Sequence, residues 1–412
     1  MSSNELKSSN PHAIVIGLDG MAGIQTARTL ARHRIPVIGI AKNAGHHCCK
    51  TNVCEEIVIS GTQTPDIVDT LLKIGPRLPA KAVLFPCHDL TVRFIAEHRD
   101  KLDPWFHIAA PDSEVVEMLT SKVGFYNHAV KHGFKVPQTF KLRNQNDAVR
   151  AAEKLKFPGV LKPSSTSSSW DRHTMAKAYQ VSDAKDFLAH YERCKEWVEE
   201  LILQQWIPGG DDSLYSCNCY IDSAGKPQAT FIARKLRQWP PHVGFSSLGE
   251  ECRNEEVLSE SLRLFASVPY AGLGYVEFKR DERTGEHYII EPNIGRPTGR
   301  SGIAEAGGVE LLYTMYCDLL GLPLPENRVQ KYRDTKWVDL RHDFQSAFYY
   351  WRKGELTLRE WRDSWSGPKA HTYFSWRDPA PFIADLWNTF KKIIFRSERK
   401  RREYLGRENR AT

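Results

Sequence analysis

The feature that most constrains this chain is a predicted β-hairpin in which two mainly apolar strands each carry a glutamate. One strand contains Glu277, the other contains Glu291, and the polar segment 281–285 lies between them. Because alternate residues of a strand share one face, Glu291 and Asn293 point the same way. If the loop is residues 282–286, Glu277 lies directly opposite Glu291, at the spacing of about 5 Å typical of cross-strand neighbours.

Two carboxylates at that spacing repel each other unless a positive charge lies between them. Hard cations such as Mg²⁺ prefer oxygen ligands and share them with phosphate oxygens. The hairpin therefore predicts a Mg²⁺–phosphate site formed by Glu277, Glu291 and Asn293. The alternative at this point is two glutamates on a solvated strand face.

Two upstream segments are typical of nucleotide binding. A short apolar strand ends at Lys162 and continues into the hydroxyl-rich segment 164–169, in which Ser164 and Ser165 are candidates to donate hydrogen bonds to phosphate. A second apolar strand, around Gln204 and Gln205, is broken by Pro-Gly-Gly at 208–210. Such a break indicates a hinge between two lobes, with backbone groups available to a planar base.

The order of these elements resembles the ATP-grasp superfamily over roughly residues 112–325. The resemblance rests on Lys122 in Thr-Ser-Lys, Val136-Pro137, Leu161-Lys162-Pro163, the Gln-Gln-Trp-Ile-Pro-Gly hinge, Glu277 and Glu291-x-Asn293. Within the superfamily, the runs 234–238 and 291–296 look like the carboxylate–amine ligase group that includes D-aspartate ligase-like proteins. The resemblance implies an ATP- and Mg²⁺- (or Mn²⁺-) dependent ligase that joins a small-molecule carboxylate to an amine through an acyl phosphate, releasing ADP and phosphate.

The same resemblance implies roles for individual residues. Lys122 and Lys162 would hold the α- and β-phosphates. The hinge residues and a nearby aspartate would hold the rest of the nucleotide: Gln204, Gln205, Trp206, Ile207 and Asp212. Positive side chains would stabilise the γ-phosphoryl group, the substrate carboxylate or the tetrahedral intermediate, and the candidates are Arg234, Lys235, Arg296 and Arg300.

Three departures from the superfamily pattern bear on these roles. The loop after Lys162 is rich in serine rather than glycine, Gln205 stands where many relatives have glutamate, and Tyr275 stands where many have arginine. Ribose binding could therefore fall to Asp211 or Asp212. Two alternatives remain: another ATP-grasp chemistry of kinase or carboxylase type, or a non-catalytic nucleotide-binding module.

The N-terminal segment predicts a separate α/β unit. A buried-type strand at 13–17, a glycine-rich turn, a helix and a second strand at 36–40 resemble a dinucleotide-binding fingerprint. An NAD-dependent oxidoreductase is the rival interpretation, but the acidic residue that a dinucleotide-binding fingerprint has at the end of its second strand is missing here. A later strand ends in His88 and Asp89, which are candidates for substrate contact or, for Asp89, for a helix cap.

We therefore predict an α/β protein in three parts: a Rossmann-like domain (1–111), a two-lobed ATP-grasp domain (112–325) and a helical C-terminal extension (326–412). The nine cysteines are scattered, which favours reduced thiols. No apolar run is long enough to span a membrane and the N-terminus is polar, so we expect a cytoplasmic protein. We also expect a homodimer, as is common among similar ligases.

The positive charge of the chain lies mainly at its C-terminus. Residues 391–410 contain nine basic and three acidic side chains, net +6, against +7 for the whole chain. This distribution argues against a nucleic-acid-binding groove. An apolar helical stripe precedes the tail, so we expect either peripheral contact with an anionic membrane or an ordinary docked helix; the stripe consists of Ile383, Leu386, Trp387, Phe390 and Ile394.

Overall fold

The computed structural model describes residues 10–164, 168–174, 176–241, 244–299 and 301–391. The strands of this part of the chain form three sheets. Ser165, Arg300, Ile394 and most of the basic tail lie outside it.

The first sheet is parallel, has the strand order β3-β2-β1-β4-β5 and forms the N-terminal unit. Its strands are β1 Ala13–Ile16, β2 Val37–Ala41, β3 Glu56–Ile59, β4 Ala82–Pro86 and β5 Phe106–His107. The helices between them are α1 Met21–Arg32, α2 Asp66–Ile74, α3 Asp89–Glu97 and α4 Arg99–Leu102. Every residue of β1 is buried, as expected for the central strand of an open α/β sheet.

The second sheet is antiparallel, with the order β6-β9-β7-β8. Its strands are β6 Thr139–Leu142, β7 Gly159–Pro163, β8 Tyr179–Val181 and β9 Leu201–Gln205. The helices of this region are α5 Ser113–Thr120, α6 Lys122–Lys131, α7 Gln145–Lys154, α8 Ser168–His173 and α9 Ala184–Cys194. A core of apolar side chains from α7, α9 and the sheet holds this lobe together.

The third sheet has the order β14-β13-β10-β11-β12-β15-β16 and is antiparallel except for its last pair. Its first five strands in chain order are β10 Leu214–Ile221, β11 Pro227–Trp239, β12 Phe245–Glu251, β13 Gly272–Arg280 and β14 His287–Ile294. The helices here are α10 Glu255–Ala266, α11 Gly302–Ala306 and α12 Leu311–Leu319. One face of the sheet packs against α5, α6 and α10, and the other packs against α1, α11 and α12.

The C-terminal extension is not purely helical. It contains β15 Lys336–Val338, α13 Leu340–Lys353, α14 Leu358–Asp363 and β16 Lys369–His371, and residues 380–391 are helical. Because β15 and β16 lengthen the third sheet, the predicted boundary at residue 325 does not coincide with the edge of a sheet. The division into domains at residues 111 and 325 stays a prediction.

Two buried ion pairs fasten the extension to the rest of the molecule. Arg237 of β11 makes two hydrogen bonds to Asp343 of α13, at 2.8 and 3.0 Å, and both side chains are buried. Arg28 of α1 donates from Nε to Asp378 at 2.8 Å and from Nη1 to the Tyr373 carbonyl at 2.9 Å. The extension therefore joins the N-terminal unit to the third sheet.

Two expectations about the chain as a whole can be compared with the structure. Within the described residues, each helix is too short or too polar to cross a membrane. All nine cysteines are free thiols, which confirms the expectation of reduced cysteines.

We predict that Asp343→Asn lowers the free energy of unfolding by about 3–5 kcal/mol, because it leaves the Arg237 guanidinium buried without a counter-charge. The measurement is denaturant unfolding followed by tryptophan fluorescence. Asp363→Asn is the control, since Asp363 pairs with Arg362 at an exposed position and should contribute less than about 1 kcal/mol. Equal losses in both variants would contradict the prediction.

Candidate active site

Glu277 and Glu291 face each other across β13 and β14, as the sequence predicts. The hairpin loop begins one residue earlier than expected, because β13 ends at Arg280 and β14 begins at His287. A β-bulge at Ile290 restores the pairing. The bulge explains why Ile289 packs in the core beside Phe278, while Glu291, two residues later, faces solvent in a cleft.

The negative charges of Glu277 and Glu291 favour the binding of a cation between them. The pKa of Glu291 is raised, first by desolvation among the surrounding protein atoms and next by the negative charge of Glu277. Lys162 and Lys122 act in the opposite direction. The side chain still reaches solvent, so the cleft is open and a ligand can approach the carboxylates.

Both predicted phosphate-binding lysines lie in this cleft. Lys162 on β7 donates from Nζ to Gln204 Oε1 at 2.8 Å, and Gln204 in turn donates to Thr139 Oγ1 at 3.0 Å. Desolvation lowers the pKa of Lys162 to about 8, opposed by Glu291 and reinforced by Lys122. Burial also lowers the pKa of Lys122, the first residue of α6, against the attraction of Glu291 and Asp89.

The predicted hinge follows β9 and is fixed by backbone hydrogen bonds. The Trp206 N–H donates to the Pro158 carbonyl at 3.1 Å, and the Gln205 N–H donates to the Gln138 carbonyl at 2.8 Å. The side-chain oxygen of Gln205 accepts from the Gln138 N–H at 3.3 Å. Ile207 is buried, and the Trp206 ring lies 6.0 Å from Lys279 Nζ.

The two aspartates after the hinge differ. Asp211 is buried and accepts hydrogen bonds from the Gln238 backbone at 3.0 Å, the Gln238 side chain at 2.7 Å and the Tyr350 hydroxyl at 2.7 Å, so it has a structural role. Asp212 is exposed. Lys279, which the sequence analysis missed, donates to the Gly209 and Gly210 carbonyls. Lys279 could have been identified from its position two residues after Glu277, which puts it on the same strand face.

The structure does not bring Arg234 to the carboxylate pair, which corrects its assignment as a catalytic residue. Its neighbour Ala233 packs on the face of the third sheet that carries Glu277, so Arg234 points to the opposite face. There its Nε donates to Glu250 at 2.6 Å, and Lys336 donates to the same carboxylate at 2.5 Å. Strand alternation leaves Lys235 on the Glu277 face. The pKa of Lys279 is lowered first by desolvation, and the nearby charge of Lys235 lowers it further.

Arg296 connects the cleft to the N-terminal unit. It donates to both carboxylate oxygens of Asp89, from Nε at 2.5 Å and from Nη2 at 3.1 Å. It also donates to the Tyr275 hydroxyl at 3.0 Å and to Asn293 Oδ1 at 2.6 Å. Arg296 therefore supplies positive charge beside Tyr275. The sequence indicated Asp89 only as a substrate contact or a helix cap. It gave no indication of the ion pair between Asp89 and Arg296.

The donor set fits a hard divalent cation. Glu277 and Glu291 offer carboxylate oxygens, and an amide oxygen has two lone pairs, so the bond from Arg296 leaves one on Asn293 for a metal. The Nδ2 atom of Asn293 is buried and makes no hydrogen bond within the described part of the chain. Ser164, at the end of β7, donates its N–H to the Glu200 carbonyl at 3.1 Å.

No protein-family model matches the chain. A curated D-aspartate ligase of Enterococcus faecium (strain Aus0004) is 24% identical over 259 residues, which cover 60% of this chain and 61% of that protein. The chain thus matches less than two thirds of the length of this relative.

Solved structures show the fold. N5-carboxyaminoimidazole synthetase from Staphylococcus aureus, complexed with ADP, aligns with a TM-score of 0.60 at 15% identity over 79% of this chain and 80% of that chain. The biotin carboxylase domain dimer of Hydrogenobacter thermophilus 2-oxoglutarate carboxylase, in complex with MgADP, ADP and bicarbonate, aligns with a TM-score of 0.60 at 15% identity over 77% and 71%.

The chain has the ATP-grasp fold, which confirms the α/β fold class predicted from the sequence. Within that fold, its sequence is similar to a D-aspartate ligase, which confirms the predicted resemblance to the carboxylate–amine ligase group.

We predict that nucleotide binding takes up protons near pH 8. Lys162 has a pKa of about 8 in the free protein. Phosphate oxygens favour its charged form, so at pH 8 binding should add about half a proton and affinity should fall at higher pH. Calorimetry in buffers of different ionisation enthalpy measures this uptake. Lys162→Arg, which stays charged, should remove the contribution of Lys162 and so reduce the uptake; uptake equal to that of the wild type would contradict the assignment.

Proposed function

We propose that the protein is an ATP- and Mg²⁺- (or Mn²⁺-) dependent ligase that joins a carboxylate to an amine. The observation that carries the proposal is the pair Glu277 and Glu291, which shares one cleft with the half-buried lysines Lys122 and Lys162. Anionic oxygens and cationic side chains alternate there, as needed to bring a triphosphate and a carboxylate together. The MgADP complex of a structural neighbour supports the same nucleotide and metal here.

The proposed residues divide the work. Glu277, Glu291 and Asn293 would hold the metal, which would supply positive charge to the phosphate oxygens. Lys122 and Lys162 neutralise the α- and β-phosphates. The hinge and the segment after β7 would make the remaining nucleotide contacts. Trp206 and Ile207 would contact the base, and Asp212 would contact the ribose. Further contacts to the nucleotide are assigned to Gln204, Gln205, Ser164 and Ser165.

The chemistry proceeds in two steps. A carboxylate oxygen bonds to the γ-phosphorus of ATP while the bond to the ADP oxygen breaks, which gives an acyl phosphate. The amine nitrogen then bonds to the acyl carbon, phosphate leaves, and the proton of the ammonium form passes to solvent. Lys235, Arg296 and Arg300 are proposed to stabilise the charge that develops, while the position of Arg234 on the opposite sheet face excludes it from this role.

The named relative makes an amino acid the first substrate to test, because it is a D-aspartate ligase. The neighbour with bicarbonate keeps a carboxylase as the second candidate. A non-catalytic module was the third alternative, argued from Gln205 and Tyr275. Arg296 beside Tyr275 weakens that argument, since it provides a cation at the altered position.

The test is nucleotide release by the purified protein with ATP and Mg²⁺, against a panel of carboxylates and amines that includes D- and L-amino acids and bicarbonate. ADP and phosphate formed only with an acid and an amine together support the ligase. ADP formed with bicarbonate, or with an acceptor that itself becomes phosphorylated, indicates the carboxylase or the kinase. AMP and pyrophosphate would overturn the acyl-phosphate route.

We predict that Glu291→Gln lowers turnover by at least about 100-fold, since even residues that only orient metal ligands are worth about 10–100-fold. At neutral pH the variant without nucleotide should unfold at or above the wild-type temperature, because the charged form of Glu291 is disfavoured by desolvation from the surrounding protein atoms and by Glu277. Steady-state ADP release and thermal unfolding measure the two effects. Glu286→Gln, on the same hairpin, is the control because Glu286 lies at the surface, where it pairs with Lys135 and accepts a hydrogen bond from the Tyr288 hydroxyl. Near-normal turnover in Glu291→Gln would contradict the assignment of Glu291 as a metal ligand.

Beyond small-molecule substrates we propose peripheral contact with an anionic membrane, and a homodimer, which the dimeric neighbour supports. The helical segment 380–391 buries Asp385 but exposes an apolar stripe whose members are 48–60% exposed, namely Ile383, Leu386, Trp387 and Phe390. The positive tail begins directly after this stripe, and an apolar face with adjacent positive charge suits a layer of anionic lipid headgroups. We therefore propose a cytoplasmic protein that contacts the membrane surface.

We predict that Trp387→Ser with Phe390→Ser reduces co-sedimentation with phosphatidylserine-containing vesicles at least about tenfold, because each side chain loses apolar area that the lipid would bury. Val329→Ser removes a more exposed apolar side chain outside the stripe and should change nothing. Binding that is unchanged in the double variant, or equal with uncharged phosphatidylcholine vesicles, would rule out the membrane proposal.

A further inference from the structure

Three side chains that can bind a metal come together after β2 of the N-terminal unit. His46, His47 and Cys48 stand at the start of a 3₁₀ helix, His47–Lys50, and one ligand atom from each lies within 4.8 Å of the other two. Within the part of the chain that the structure describes, no other group of three or more His, Cys, Asp and Glu side chains comes this close. None of the three residues has a role in the ligase reaction proposed above.

The His47 ring is held by the C-terminal extension. Its Nδ1 atom lies 3.8 Å from Oδ1 of Asp385, a buried residue of the helical segment 380–391. The ring of Tyr373 also packs edge-on against it, with the two centroids 4.7 Å apart. A carboxylate beside one ring nitrogen is the usual outer partner of a metal-bound histidine, because it favours the tautomer that presents the other nitrogen to the metal.

The His46 ring lies beside that of His47, with the centroids 4.1 Å apart, and is only half buried. Desolvation lowers the pKa of His46, opposed by the negative charges of Asp19 and Asp385. The Nδ1 atom of His46 accepts a long hydrogen bond, 3.3 Å, from the Cys48 N–H. A neutral imidazole has one lone pair, so a metal bound to His46 would replace this weak bond, while the two carboxylates would attract the cation.

The Cys48 thiol is the third ligand and the most buried of the three. Burial raises the pKa of Cys48, so without a metal the side chain stays a neutral thiol. When a metal–sulfur bond forms, the thiol proton passes to solvent and the charge of the metal takes its place. The half-buried His46 ring gives the metal a route from solvent to the sulfur atom.

We propose that His46, His47 and Cys48 bind one zinc ion. Two imidazole nitrogens and a thiolate suit Zn²⁺, whereas Mg²⁺ takes oxygen ligands. In a tetrahedral zinc site such atoms are about 3.3–3.6 Å apart, so the present spacing has to close by roughly 1 Å, which rotation of the His46 ring can supply. The fourth position is left to a water molecule.

The zinc ion would connect the N-terminal unit to the extension. His47 follows β2, while Asp385 belongs to the segment 380–391, so the ion would strengthen a contact between distant parts of the chain. Asp19, in the turn after β1, accepts hydrogen bonds from the Lys42 and Asn43 N–H groups at 2.9 and 3.1 Å, which holds the start of the zinc-binding loop. This inference does not rest on the proposed ligase function.

The test is competition for Zn²⁺ between the full-length protein and a chromophoric chelator, with excess Mg²⁺ present to occupy the carboxylate site. The wild type should bind one zinc ion per chain. Cys48→Ser and His46→Ala should each weaken the affinity at least about 100-fold, and Asp385→Asn about tenfold, since residues that orient metal ligands contribute about 10–100-fold.

Cys49→Ser is the matched control. Cys49 is the adjacent thiol, but it donates a hydrogen bond to the Asn43 carbonyl and lies outside the group of three ligands. Its loss should leave the zinc affinity unchanged. Equal losses in Cys48→Ser and Cys49→Ser, or wild-type affinity in both, would overturn the assignment.

Co²⁺, used as a spectroscopic probe for zinc, tests the site in the wild-type protein without any substitution. A thiolate-to-cobalt charge-transfer band in the near ultraviolet is expected, because Cys48 would coordinate the ion. The band should persist in Glu291→Gln, which alters the carboxylate site, and should vanish in Cys48→Ser. A wild-type protein that shows no such band, or a band that persists in Cys48→Ser, would overturn the inference whether or not the protein is a ligase.

Discussion

The repulsion between Glu277 and Glu291 is the constraint on which the rest of the site depends. Two carboxylates on neighbouring strands are unfavourable by themselves, and desolvation adds to the cost. Lys162 and Lys122 offset part of it, yet both are themselves partly desolvated, so their pKa values are lowered. The free protein therefore holds like charges close together at this site, and a bound cation and polyphosphate would bring opposite charges to them.

The C-terminal extension fixes the two halves of this site relative to each other. Arg28 lies in α1, beside the first sheet, and Arg237 lies in β11 of the third sheet, while their buried partners Asp378 and Asp343 both lie in the extension. The alignment of Asp89 with Arg296 needs the N-terminal sheet and the third sheet to keep one relative position. The buried pairs provide that rigidity at a distance from the chemistry, where their own geometry does not have to change during a reaction.

Local rules predicted the parts of the fold and site that depend on neighbours in sequence. Strand alternation and turn chemistry gave the partner of Glu277, and the order of short elements gave the ATP-grasp fold. Arg234 and Lys235 show the limit of these local rules. Adjacent residues of a strand cannot both face one cleft, and which of the two faces it depends on how β11 pairs with β10. The bond between Asp89 and Arg296 joins residues 207 positions apart, and the strands β15 and β16 are three residues each, too short for a periodic signal.

The bulge at Ile290 has a consequence for how this hairpin can vary. The side-chain period of a strand is two, so a shift of one residue exchanges the two faces of the strand. In this hairpin β14 has one extra residue between Ile289, which packs in the core, and Glu291, which faces the cleft. This extra residue compensates for a turn that begins one residue early. The length of the turn is thereby uncoupled from the orientation of Glu291. The turn could gain or lose a residue without reversing the direction of Glu291, provided that the bulge appears or disappears with it.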